Sequence, residues 1–126
     1  MEDYIEFSIP SAPPTANLIW RNFKGRTVLS KAASGFFKIV QGVVGLTSIP
    51  KDWAFCSVEI IVSPATRRGD VDNRIKPVLD ALTRSKFWKD DTCVAKVSCR
   101  FVAPSKGSGF TIVRIRPEKE KFPAIL

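Results

Sequence analysis

Apolar and polar residues alternate in three stretches of the chain, residues 4–9, 53–63 and 93–101. Successive side chains of a strand point to opposite faces, so this alternation predicts β-strands. Residues 110–116 are predicted as the last strand, and residues 26–29 as a short additional one. Strands are therefore expected in both halves of the chain.

Apolar residues recur at helical spacing in two further stretches, residues 31–44 and 74–84. Ser30 directly precedes the first stretch and is predicted to cap the helix. Gly35 and Gly42 lower the helix propensity there, and their small size suggests close packing. The predicted buried positions are Ala33, Phe36, Phe37, Val40 and Val44 in the first helix and Ile75, Val78, Leu79 and Leu82 in the second.

Pro77 limits where the second helix can begin. Proline has no N–H group, so it fits if the helix starts near Arg74, where first-turn N–H groups are free, or if the helix is kinked. Residues 103–109 are predicted as a hairpin loop before the last strand. The order β(β)αβαββ predicts an α+β fold, with one domain over residues 1–126, a mixed β-sheet and two main helices.

The chain is strongly basic, with a formal net charge of +8. Such a charge favours a polyanionic partner, nucleic acid before an anionic membrane surface. No apolar run approaches 18 residues, so no membrane span is predicted. Trp20, Arg21, Lys24 and Arg26 interleave aromatic and basic side chains, a pattern that suits base stacking and phosphate contact. The alternative is a lid over the core.

Histidine is absent from the chain. This excludes Ser-His-Asp hydrolases, histidine-based zinc sites and nucleases with a histidine general base. Cys56, Cys93 and Cys99 are odd in number and lack paired metal-ligand spacing, which is typical of reduced thiols in a cytoplasmic protein. The N-terminal MEDYIEF does not have the features of a signal peptide. We expect no organic cofactor.

Asp70 and Asp72 lie two residues apart where a predicted strand leads into a predicted helix. Both carboxylates could hold one Mg²⁺, which commonly takes one or two carboxylates together with waters and phosphate oxygens. Lys76 follows one helical turn later and could reach the same phosphate. The alternative is that Asp70 or Asp72 caps the helix while Lys76 forms an ion pair with Asp80.

The string DVDNRIKPVLDAL, followed by FWKDD and an alternating strand, resembles the RusA family of Holliday-junction resolvases. That family has D-x-D-N, a lysine four residues after the second Asp, a helix ending in D-A-L and an Asp-Asp pair before a strand. One departure is Cys93, where relatives often carry a polar Gln. The resemblance covers nearly the whole chain, but its specific motifs lie between Asp70 and Asp91.

The resemblance implies a homodimer that nicks two opposed strands of a four-way DNA junction, with Mg²⁺ as cofactor and Mn²⁺ as a possible substitute. By the same resemblance Asp70, Asp72 and Asp91 would be metal ligands and Lys76 the catalytic cation, and Asp90 is the weaker candidate of its pair. Metal-activated water can attack phosphorus without a histidine base. The DNA-binding residues expected are Arg67, Arg68, Arg74, Trp20, Arg21, Lys24 and Arg26.

The competing hypothesis is a non-catalytic basic module that binds nucleic acid. The nuclease hypothesis also poses a geometric problem, since Asp70 and Asp72 precede the second helix and Asp91 follows it. That helix would be about 16 Å long, and the seven steps from Arg84 to Asp91 can span about 24 Å. The chain can return along the helix if Phe87 and Trp88 pack on the way. The alternative is that Asp91 completes the site of a partner subunit.

Overall fold

The computed structural model describes residues 3–125, with the side chain of Leu18 excepted. Met1 and Glu2, the first two residues of the MEDYIEF segment, lie outside the described residues. The strands are β1 (Ile5–Ile9), β2 (Trp20–Phe23), β3 (Arg26–Leu29), β4 (Phe55–Ser63), β5 (Val94–Phe101) and β6 (Phe110–Glu118), and the helices are α1 (Lys31–Val44) and α2 (Ile75–Arg84). The order is thus βββαβαββ, with β2 as a strand that the sequence did not predict.

A four-stranded mixed sheet has the order β1-β6-β4-β5. Strand β4 is parallel to β5 and antiparallel to β6. A parallel pair needs a crossover connection, and α2 provides it. The prediction of a hairpin loop at residues 103–109 is wrong, because β4 lies between β5 and β6. The physical reason is burial: β4 is the most apolar strand and pairs along both of its edges.

One face of the sheet carries the core. Side chains such as Val58, Ile60 and Val113 are fully buried between the sheet and the two helices. The other face is polar, and there the Arg114 guanidinium lies 2.6 Å from a carboxylate oxygen of Glu6. A mixed sheet with two helices packed on one face confirms the predicted α+β class. In residues 3–125 neither helix is long and apolar enough to cross a membrane.

Helix α1 has the predicted bounds and cap. The Ser30 hydroxyl accepts a hydrogen bond from the Ala33 amide at 3.1 Å, and all five predicted apolar positions are buried. The expected close packing at Gly35 and Gly42 is not found, since a Cβ atom at either position would meet nothing within 4 Å. Both glycines therefore weaken the helix without a packing reason.

We expect Gly42→Ala to stabilise the protein by about 0.5–1 kcal/mol, because alanine loses less backbone entropy in a helix. Thermal and urea unfolding measure this gain. Gly45→Ala is the matched control, since Gly45 ends the same helix at φ 57°, where a Cβ atom is strained. A loss of stability in Gly42→Ala would contradict the open space around Gly42.

Candidate active site

The chain reverses directly after α2. Lys86 has a φ of 61°, and the next two residues, Phe87 and Trp88, are buried. The Trp88 indole N–H donates to the Thr83 hydroxyl at 2.7 Å, and the Phe87 ring packs edge-on against Phe7. These contacts turn the segment back along α2, as required for Asp91 to approach that helix within one chain.

Asp91 lies in a group of charged side chains on this returning segment. Burial raises the pKa of its carboxyl, a hydrogen bond and repulsion from Asp90 raise it further, and so does repulsion from Asp80. The ammonium of Lys76 acts in the opposite direction. Asp91 and Lys76 are therefore brought within electrostatic reach of each other in one chain.

Asp90 has a structural task beside Asp91. Its carboxylate accepts a hydrogen bond from the Thr92 amide at 3.1 Å and caps the short 3₁₀ turn Asp91–Cys93. The Cys93 thiol donates to the Asp90 carbonyl at 3.4 Å. These bonds fix the main chain that carries Asp91.

Lys76 forms an ion pair with Asp80, which was the alternative role predicted for it from the sequence. Its Nζ lies 3.4 Å from a carboxylate oxygen of Asp80, and its side chain is 63% exposed. An exposed pair four residues apart on a helix contributes only about 0.3–0.5 kcal/mol, so the ammonium can exchange this partner for a phosphate. The sequence pattern indicated Asp80 only as a partner of Lys76, although the structure also brings it close to Asp91.

Asp70 and Asp72 lie in the exposed segment between β4 and α2. Asp72 opens the 3₁₀ turn Asp72–Arg74, and neither this turn nor α2 has a side-chain cap. The alternative role as helix caps is therefore wrong. Pro77 lies in the first turn of α2, as predicted, because the helix begins at Ile75.

The donor chemistry suits a hard cation. Asp70, Asp72 and Asp91 offer only carboxylate oxygens, which Mg²⁺ and Mn²⁺ accept, and a cation would relieve the repulsion that raises the pKa of Asp91. Within residues 3–125, however, no three acidic or thiol side chains are grouped closely enough to hold one metal ion. The assignment of Asp70, Asp72 and Asp91 as ligands of one ion therefore stays a prediction.

Strands β2 and β3 form a separate two-stranded hairpin. Its turn residues Lys24 and Gly25 both have positive φ, as two-residue hairpin turns require. Trp20 is 49% exposed, so the interpretation of these residues as a lid over the core is wrong. Phe23, which the sequence pattern did not single out, is also exposed, and Arg21 and Lys24 each lie 5.3 Å from its ring centroid.

The three arginines between β4 and α2 that were expected to contact DNA differ in position. Arg67 and Arg68 are exposed beside Asp70. The Arg74 guanidinium instead donates to the main-chain carbonyls of Pro13 and Arg68. Two of its donor groups are thus directed at the protein, while the expected contact of Arg74 with DNA stays a prediction.

The three cysteines are free, with Cys56 buried and the other two half-buried. Burial raises the pKa of Cys56 to about 12, and the neighbouring Cys93 adds to this rise. Burial also raises the pKa of Cys93. Both groups are therefore neutral thiols at pH 7, and neither is suited to act as a nucleophile or metal ligand there.

Known proteins resemble this chain over most of its length. The family described as Endodeoxyribonuclease RusA matches residues 10–116. The crossover junction endodeoxyribonuclease rusA of Enterobacteria phage 82 is 34% identical over 89 residues, which cover 65% of this chain and 70% of the phage protein. The proteins named crossover junction endodeoxyribonuclease RusA in Shigella sonnei (strain Ss046) and Escherichia coli (strain K12) are each 33% identical over 85 residues, with the same two coverages. The family match includes the whole segment from Asp70 to Asp91.

Proposed function

Because the chain belongs to the Endodeoxyribonuclease RusA family, we propose that it is a metal-dependent endodeoxyribonuclease that resolves four-way DNA junctions by paired nicks in opposed strands. The observation that carries this proposal is the family match over residues 10–116, which includes Asp70, Asp72, Lys76 and Asp91. Lys76 follows Asp72 by four residues, and its exposed ammonium acts electrostatically on Asp91. This arrangement suits the binding of a phosphodiester together with a cation.

Asp70, Asp72 and Asp91 would hold the metal ion, Mg²⁺ or Mn²⁺. A bound divalent ion supplies an activated water and neutralises charge on the phosphodiester, so that no histidine is needed. The three carboxylates would bind and orient the ion, and they would have to come closer together to do so, because they are not grouped among the described residues. Asp90 keeps Asp91 in position through its hydrogen bond to the Thr92 amide.

Lys76 would act on the phosphodiester directly. Its ammonium is exposed, and the ion pair with Asp80 is weak enough to be replaced. A positive charge at this place stabilises the negative charge that builds up on the phosphoryl oxygens in the transition state. Asp80 would hold the lysine side chain along the helix until substrate binds.

DNA would lie across the hairpin and the segment before α2. The exposed Trp20 and the basic residues Arg21, Lys24 and Arg26 supply stacking and phosphate contacts on the hairpin. Arg67 and Arg68 would neutralise backbone phosphates beside the cut. Two opposed strands require two active sites, and a homodimer of this chain would supply them with the symmetry of the junction.

The direct test of this function is nicking of a synthetic four-way junction by the purified protein. We expect cleavage in Mg²⁺ or Mn²⁺, none in EDTA, and little cleavage of a linear duplex with the same sequence. Binding without metal-dependent cleavage would contradict the nuclease and favour the non-catalytic module. Cleavage of the duplex at the same rate would contradict junction selectivity while leaving the nuclease in place.

A further inference from the structure

The guanidinium of Arg74 lies between two loops, one before the hairpin and one before α2. Its Nη1 atom donates to the carbonyl of Pro13, in the loop before the hairpin, and its Nη2 atom donates to the carbonyl of Arg68 at 3.3 Å. The centre of the guanidinium is 5.8 Å from the ring centroid of Phe101, at the end of β5. One side chain thus connects the start of α2 with three other parts of the chain.

The segment that carries the two carboxylates has little else to hold it. Residues 65–70 are exposed, and clefts of about 320 and 200 Å³ lie on either side of the first part of the segment. Among the described residues 3–125, a single hydrogen bond reaches the main chain of residues 65–70. It runs from the Arg74 guanidinium to the Arg68 carbonyl. Arg74 is therefore the side chain that ties this segment to the start of α2 by a hydrogen bond.

Gly69 leaves room for the guanidinium of Arg74. Gly69 has a φ of 97°, which favours glycine, and a Cβ atom there would lie 2.8 Å from Nη2 of Arg74. Burial lowers the pKa of Arg74, and its Nε atom is buried without a hydrogen-bond partner among the described residues. An arginine placed for DNA contact would keep its planar fork in solvent. In this chain the fork is directed at carbonyl groups instead.

We propose that Arg74 is a positioning residue, whose guanidinium fixes the segment bearing Asp70 and Asp72 and thereby sets their affinity for the divalent metal ion. This inference rests on the proposed function of those two carboxylates. Partners that orient metal ligands commonly change metal affinity or activity by about 10–100-fold when they are removed. The role depends on the two-pronged geometry of arginine, so lysine should replace it only in part.

Three variants distinguish a positioning role of Arg74 from a phosphate contact. Arg74→Gln removes the charge and the fork, and Arg74→Lys keeps the charge alone. Arg84→Gln is the matched control, because Arg84 ends the same helix and lies over the Phe37 ring at 4.9 Å. Thermal melting establishes that each variant is folded before it is assayed.

The first measurement uses neither metal nor DNA. Trypsin cleaves after Arg67 and Arg68, and mass spectrometry identifies each cut. We expect Arg74→Gln to speed these two cleavages roughly tenfold, since local opening of the segment exposes it to protease. Arg74→Lys should be intermediate, and Arg84→Gln should match the natural chain. Unchanged cleavage in a folded Arg74→Gln protein would overturn the proposal.

The second measurement is Mn²⁺ binding without DNA, followed by electron paramagnetic resonance. We expect roughly tenfold weaker binding in Arg74→Gln and a kcat that falls while KM for the junction stays constant. The salt dependence of junction affinity should not change. Two results together would identify Arg74 as a phosphate contact and overturn the proposal. The slope of log junction affinity against log salt concentration would fall by about one unit in Arg74→Gln, and Arg74→Lys would restore it fully.

A failure of the proposed function gives a different result. If the natural chain and Asp72→Asn bind Mn²⁺ equally well, Asp72 is not a ligand, and the metal part of the inference falls together with the proposed site. The tryptic cleavage still decides whether Arg74 holds the segment. The two failures are therefore distinguishable.

Discussion

Asp72→Asn is expected to reduce junction cleavage by at least about 10³-fold, the scale of losing a main source of transition-state stabilisation. Asparagine keeps the size and shape of the side chain but removes the charge that would hold the metal ion. Asp72 is exposed and makes no cap to the helix, so the fold should be unaffected. Single-turnover nicking of a four-way junction in Mg²⁺ measures the loss.

Junction binding by Asp72→Asn should persist or tighten, because a negative charge facing the phosphates is removed. Asp52→Asn is the matched control, since Asp52 is also exposed but lies before β4, outside the segment from Asp70 to Asp91. This control should cleave at the natural rate. Near-normal nicking by a folded Asp72→Asn protein would refute the metal site.

Lys76→Met should lower kcat by about 10²–10³-fold, comparable to the removal of one charge-stabilising donor from an active site. Methionine keeps the aliphatic stem and deletes the ammonium. The lost ion pair with Asp80 is exposed, so the melting temperature should fall by less than about 3 °C. Turnover per folded molecule and thermal melting are measured on the same preparation.

Lys38→Met provides the comparison for Lys76→Met, because Lys38 is an exposed lysine on α1. It should leave turnover unchanged. The result that would argue against a catalytic Lys76 is a lower melting temperature with unchanged turnover per folded molecule. Lys76 would then serve only as the partner of Asp80.

Features with local causes were predictable from the sequence. The helix α1 and its cap depend on Ser30 and on apolar spacing within one segment, and both were confirmed. The beginning of α2 follows from Pro77, which can only be placed in the first turn of an unkinked helix. The motif from Asp70 to Asp91 pointed to the family that the comparisons show.

Predictions that depended on contacts between distant segments were less complete. All four residues of β2 are exposed, and so are the first two residues of β3. Because β2 has no buried face, its sequence lacks the alternation of apolar and polar residues that predicts a strand. The connection from β5 to β6 was taken for a hairpin because neighbours in sequence usually pair. The insertion of β4 between them depends on its pairing along both edges, with β5 on one side and β6 on the other, a property of the whole sheet.

The sequence by itself determined the chemical types at the candidate site, since its Asp carboxylates can bind a hard cation and its Lys and Arg side chains can bind phosphate. Tertiary structure decided between the two routes that the sequence left open for Asp91, a return along α2 and a place in a partner's site. The burial of Phe87 and Trp88 returns Asp91 to within electrostatic reach of Lys76, and Arg74 donates hydrogen bonds to the carbonyls of Pro13 and Arg68. The physical reason is that hydrogen bonds and packing between segments distant in sequence leave no periodic signal in the chain.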